Sequence, residues 1–205
     1  VYVEPGGTWR TQRLRVGDFG SHNALFVNGG LVFVGTTMDV GYDPIYPNNL
    51  CQMTSGEINV TNAAHTAVLE VYGGSLALLG GTLRVDTLII TNIGAQFIAV
   101  DGTLSYRSLQ LTPGYDADVD GIPNGWEQAR GLSPLNPLDA EEDYDGDKMS
   151  NLQEYLAGTN PTNALSRLAI SAVTLTNGHV RVNWQAIGGK SYVVQTRGAF
   201  NTDFT

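Results

Sequence analysis

Oxygen-bearing side chains recur at a fixed spacing in one stretch, residues 116–154. Asp116, Asp118, Asp120, Gly121, Asn124 and Glu127 fall at positions 1, 3, 5, 6, 9 and 12 of a twelve-residue segment. Asp143, Asp145, Asp147, Asn151 and Glu154 repeat positions 1, 3, 5, 9 and 12. Acids at alternate positions wrap three carboxylates around one point. A main-chain carbonyl at position 7, here Ile122 or Met149, adds an oxygen, and a bidentate Glu at position 12 closes the shell from the first turn of a helix. Such an all-oxygen shell suits a hard cation that takes six to eight ligands, and the pattern predicts two calcium ions.

The two segments share one offset. Asp116 and Asp143 are 27 residues apart, as are Glu127 and Glu154. Gly131 matches Gly158 and Pro134 matches Pro161 at the same offset. A bare acidic run is ordinarily a solvated loop, but such a run does not repeat a twelve-position pattern. The second copy departs at position 6, where Lys148 replaces the turn glycine. Either Lys148 takes a left-handed backbone or the turn differs. Asn136 and Asp139 are further oxygen donors between the loops, which spacing assigns to neither.

The charge balance points to the same stretch. The chain has 205 residues and a net charge of −9. Residues 116–154 carry eleven acids and two bases, and the remainder carries nine of each. No basic cluster suits a nucleic-acid partner. No apolar run reaches the ~18 residues of a membrane helix. The single cysteine, Cys51, allows no disulfide within the chain and reads as a small buried side chain. The pattern is under way at Val1 and unfinished at Thr205, which predicts a piece of a longer chain.

Three parts must position these residues: residues 1–112, 113–163 and 164–205. In the first, ALFVNGGLVFV (24–34) matches VLEVYGGSLAL (68–78) at an offset of 44 residues. Weaker echoes begin at Gly56, Gly80 and Gly102, each a glycine turn followed by alternating apolar residues. Asn28, Asn62 and Asn92 sit where coils would turn. The 44-residue offset predicts two coils of about 22 residues in a parallel β-solenoid. An antiparallel sandwich is the alternative. An irregular insertion, residues 36–49, carries Tyr42 and Tyr46 and could meet a glycan or a partner chain.

The same segment offers an enzyme little. Asp39, Asp43, Asp86 and Asp101 share no repeat spacing that would place two carboxylates across a glycosidic bond. Arg84 and Asp86 read as a surface ion pair. His22, His65 and His179 lack partners at metal-ligand spacing.

In the third part three strands are readable, residues 168–175, 179–184 and 191–196. An Asn177-Gly178 hairpin turn joins the first two. Val180, Val182 and Trp184 would point inward, with Trp184 anchoring the core.

Three resemblances follow from these residues. DADVDGIPNGWE and DGDKMSNLQEYLAGTNP, within residues 114–162, resemble thrombospondin type 3 repeats and the related dockerin-like modules of exported bacterial proteins. That resemblance implies calcium binding, an extracytoplasmic location and a linking role without catalysis. LRVG, LFVNGG and LEVYGGSLALLGG resemble the right-handed parallel β-helix of autotransporter-type passenger repeats. The third part resembles the start of a fibronectin type III-like sandwich. The expected fold is therefore mainly β, a parallel β-helix followed by a small EF-hand-like module and a partial β-sandwich.

The expected function is that of a non-enzymatic extracellular or cell-surface structural protein, of adhesin, stalk or filament type. Its interdomain segment would be ordered by calcium, with Trp126, Leu152, Tyr155 and Leu156 packing the short helices. Its partners would be calcium and copies of itself or neighbouring surface proteins. The alternatives are the non-catalytic C-terminal part of a secreted polysaccharide-degrading enzyme, or a carbohydrate- or partner-binding module.

Overall fold

The computed structural model describes residues 1–42 and 48–193. The chain divides into two compact units, Val1–Glu142 and Asp143–Thr205.

The first unit is a β-solenoid. Strands β1 (Tyr2–Val3), β2 (Thr8–Val16), β3 (Ala24–Val40), β4 (Leu50–Val60), β5 (Val68–Val71), β6 (Ser75–Ile90) and β7 (Gln96–Leu111) form one seven-stranded sheet. Every pairing in it is parallel, so the antiparallel sandwich is excluded for this region. Parallel neighbours need a long connection, and here the coil itself supplies it. Leu25 pairs with Cys51, Cys51 with Leu76 and Leu76 with Phe97, so successive coils advance 26, 25 and 21 residues.

Each long strand turns corners and contributes to more than one face. In β3 the buried pairs are Leu25 and Val27, then Val32 and Val34, then Met38 and Val40. Inward parity switches at Gly29-Gly30, where the chain bends. Equivalent apolar positions stack coil on coil: Val32, Ile58, Leu83 and Leu104 form one column, and Met38, Leu69, Leu88 and Leu109 another. Burying each such side chain contributes about 1.5–3 kcal/mol. Cys51 is fully buried in this core, and burial pushes its thiol up to about 12.

The register corrects the repeat expected from sequence. Leu25 lies in the column of Cys51 and Leu76, whereas Leu69 lies in the column of Met38 and Leu88. The 44-residue match therefore joins two different faces. The weaker echoes mark the true repeat, because the residues after Gly30, Gly56, Gly81 and Gly102 pair in register. The insertion is also shorter than expected, since β3 continues through Val40. Asp43 and Tyr46 lie outside the described residues.

Helix α1 (Asn124–Gln128) ends the first unit's metal-type loop, and a 3-10 turn spans Asp139–Glu141. The second unit holds helix α2 (Asn151–Ala157) and an antiparallel hairpin of β8 (Ile170–Thr176) and β9 (His179–Trp184). Asn177 and Gly178 both have positive φ, 53° and 78°, as a two-residue type I′ turn requires. Val180 is 66% and Trp184 39% exposed, so the hairpin residues expected to point inward cover no core among the described residues. Trp184 instead meets Tyr192 edge-on, with ring centroids 6.2 Å apart. Ser191–Val193 form no strand, and the rest of the expected third strand lies outside the described residues. Among the described residues no helix is long and apolar enough to cross a membrane.

Candidate metal centre

Each loop is shaped by its first aspartate. In the first, Asp116 Oδ1 accepts the N–H groups of Val119 (2.7 Å) and Asp120 (3.2 Å), and Oδ2 accepts that of Gly121 (2.9 Å). In the second, Asp143 Oδ1 accepts from Gly146 (2.8 Å) and Asp147 (3.1 Å), and Oδ2 from Lys148 (2.8 Å). The carboxylate at position 5 then accepts the N–H at position 7, Ile122 to Asp120 Oδ1 (2.7 Å) and Met149 to Asp147 Oδ1 (2.9 Å). These bonds curl each loop so that its acids face one another.

The curl requires positive φ at positions 4 and 6. The first loop has Val119 (66°) and Gly121 (94°) there, and the second has Gly146 (80°) and Lys148 (81°). Each loop thus places a glycine at one position and accepts a strained side chain at the other. Lys148 adopts the left-handed backbone, and the turn does not change.

The helices supply position 12. Ser150 caps α2 in a reciprocal capping box with Gln153, and Gly158 ends it at φ 79°. Gly131, with φ 76°, stops the chain after α1 in the same way. Glu127 and Glu154 are both fully buried. Trp126 lies under the Arg130 guanidinium at 4.1 Å, while Leu156 is 63% exposed.

Three acid triads could hold a cation. The carboxylate oxygens of Asp116, Asp118 and Asp120 lie within 4.8 Å of one another, as do those of Asp120, Glu127 and Asp139, and those of Asp143, Asp145 and Asp147. Asp120 belongs to two triads and joins them in one centre. Asp139 entered by tertiary folding. Its Oδ2 accepts the Ser133 N–H at 2.8 Å, which turns the chain back toward α1. Asn124 has both ends of its amide engaged, accepting from Ala117 N (3.0 Å) and donating to the Thr112 carbonyl (2.9 Å). It therefore ties the loop to the chain leaving β7.

The electrostatics are those of a site that lacks compensation from protein groups. Neither oxygen of Asp118 or Glu127 receives a hydrogen bond from a protein donor, and Oδ2 of Asp120, Asp145 and Asp147 is likewise unpartnered, while the Thr159 hydroxyl lies beside the Glu154 carboxylate. Among the described residues no basic side chain pairs with them. Burial, with repulsion from Asp120 and Asp116, pushes Asp118 up to about 8. Burial and the Asp118 charge push Glu127 up to about 9, and burial with the Asp116 charge takes Asp120 to about 6. Glu154 rises to about 7 through burial and the charges of Asp145 and Asp147. Buried carboxylates are costly unless something pairs with them. An all-oxygen, highly anionic donor set fits a hard divalent cation.

The other acids singled out in the solenoid are engaged elsewhere. Asp39 pairs with Arg15 at 3.1 Å. Asp101 accepts the N–H of Gly102. Asp86 does not pair with Arg84, which reaches Glu57 at 3.1 Å. Instead Asp86 is buried and accepts the N–H groups of Asn62 and Ala67 and a contact from His65 Nδ1 at 3.3 Å. Burial opposes the Asp86 charge, yet these donors outweigh it and hold the carboxyl below its usual value. Tyr42 packs edge-on against Tyr72 beneath the Arg15 guanidinium.

Comparison with protein-family models, with curated proteins and with solved structures finds no match.

Proposed function

We propose that the chain is a non-enzymatic, exported structural protein whose two acidic loops bind calcium and form an EF-hand-like module. The hairpin of the second unit belongs, in this reading, to a fibronectin type III-like sandwich. One observation carries the proposal: Asp118 and Glu127 are buried carboxylates with no protein hydrogen-bond donor, inside a loop that packs Ala117 against the last coil. A bound divalent cation supplies the positive charge that the protein withholds. Asp116, Asp118, Asp120 and Glu127 would hold one ion together with the Ile122 carbonyl. Asp143, Asp145, Asp147 and Glu154 would hold the other with the Met149 carbonyl.

Calcium is favoured over smaller cations because carboxylates are many and Ca²⁺ accepts six to eight oxygens in variable geometry, whereas Mg²⁺ keeps its water and demands six strict positions. Extracellular modules of this kind work at about 10⁻⁴ to 10⁻³ M calcium, so external calcium would set rigidity. Limited proteolysis tests this. Residues 113–163 should resist cleavage in millimolar calcium and be cut first in chelator. Equal cleavage in both buffers would sink the proposal.

A further inference from the structure

We propose that the two loops are unequal cation sites. The first is completed by Asp139, from outside its twelve-residue segment, and the second is left one carboxylate short because Ser166 stands at the matching position. The inference rests on the calcium reading above and adds which ligand sets the affinity of each site.

The 27-residue equivalence extends well beyond the loops, bond for bond. The Leu132 N–H donates to the Glu127 carbonyl, and the Thr159 N–H to the Glu154 carbonyl, both at 3.0 Å. The Asn136 N–H donates to the Ser133 carbonyl, and the Asn163 N–H to the Asn160 carbonyl, again both at 3.0 Å. The Leu138 N–H reaches Asn136 Oδ1 as the Leu165 N–H reaches Asn163 Oδ1. At the last equivalent bond the side chains differ. The Ser133 N–H donates to Asp139 Oδ2 at 2.8 Å, and the Asn160 N–H donates to Ser166 Oγ at 3.1 Å. The backbone of the second repeat thus delivers a side chain to the same place, but a hydroxyl arrives instead of a carboxylate.

The acid groupings follow from that exchange. Asp139 forms a triad with Asp120 and Glu127, while among the described residues no triad includes Glu154. The first site has independent support as a cation site: Asp118 and Glu127 are 2% and 0% exposed, and none of their four oxygens has a hydrogen-bond partner. Five carboxylates converge around the first loop against four around the second. Affinity in oxygen-ligand calcium sites is tuned over decades by carboxylate count and rigidity.

Calorimetric titration of the chain with calcium tests the inference, with Asp118→Asn and Asp145→Asn assigning the steps to the sites. The wild type should show two steps, the tighter one lost in Asp118→Asn. Asp139→Asn keeps an oxygen for the Ser133 N–H, so the fold is retained, and it should weaken the tighter step by about tenfold or more without moving the other. Ser166→Asp should strengthen the weaker step by a similar factor. Two wild-type steps that Asp139→Asn leaves unchanged would overturn the inference while leaving the calcium reading standing. So would a Ser166→Asp protein whose weaker step does not move. A wild type that takes up no calcium would overturn both.

Discussion

The Phe97 N–H donates to the Ala117 carbonyl at 2.8 Å. Phe97 ends the column that begins at Leu25, and Ala117 is the second residue of the first acidic loop. The bond continues the stacking direction of the sheet, so the loop lies on the last coil where another strand would pair. Ala117 and Leu135 are buried in the solenoid core with Phe97. An uncovered sheet edge and an open hydrophobic core invite association; the first loop covers the core around Phe97, while β7 from Val100 to Thr103 and from Ser105 to Ser108 stays exposed. If the loop binds a metal as proposed, binding would be coupled to the packing around Phe97 at the last coil.

That coupling predicts a local signature. In calcium the Phe97 amide should exchange with solvent as slowly as the amides in the centre of the solenoid. In chelator it should exchange faster, while an amide two coils away, such as Cys51, stays protected. Residue-resolved hydrogen exchange checks this. Equal protection of Phe97 in both buffers would separate the cap from the metal.

Charge on the loop predicts a pH dependence of opposite sign in the two states. Glu127, Asp118, Glu154 and Asp120 have folded pKa values raised to about 9, 8, 7 and 6. A carboxyl with a raised folded pKa contributes fully to stability below its unfolded value of about 4, and that contribution is lost progressively as pH rises through the window up to the folded value. The metal-free protein should therefore melt at lower temperature at pH 8.5 than at pH 5.5. Calcium affinity should rise over the same window, because binding displaces protons. Glu127→Gln should raise the chelated protein's stability by roughly 1–3 kcal/mol at pH 8 and remove most of the calcium-induced gain. Melts in excess chelator and in calcium, across pH, read both effects.

The glycine column predicts the mechanical weak point of the solenoid. Gly56 has φ 91°, and a Cβ there would collide with the Gly30 carbonyl oxygen of the neighbouring coil. A side chain must therefore both strain the backbone and push two coils apart. Gly56→Ala should cost about 2–4 kcal/mol and lower the melting temperature in calcium and in chelator alike. Gly114→Ala, where nothing lies near the added Cβ, should be close to neutral.

The acidic loops were legible because a twelve-residue segment places its own side chains, so their spacing carries the geometry. Asp139 was legible only as a spare oxygen donor, since its place depends on the chain turning back at Ser133. The coil register is not legible in the 44-residue match for a related reason. Gly29-Gly30 and Gly73-Gly74 both mark corners flanked by alternating strands, but at different corners of the coil. A corner needs small residues wherever it occurs, so local pattern does not distinguish one face from another. Only the pairing of the residues that follow Gly30, Gly56, Gly81 and Gly102 does. Asp86 next to Arg84 looked like a surface pair because the 61–67 loop that covers it comes from the preceding coil. Trp184 looked like a core anchor because alternation signals one apolar face without saying what covers it.

Whether the acidic loops bind calcium is decided by calorimetric titration, paired with melts in calcium and in chelator. Two ions should bind and the melting temperature should rise by several degrees or more in calcium, because a ligand at 100 times its Kd adds about 2.7 kcal/mol. No binding, with the same melt in both buffers, would contradict it and leave residues 116–154 a solvated acidic linker.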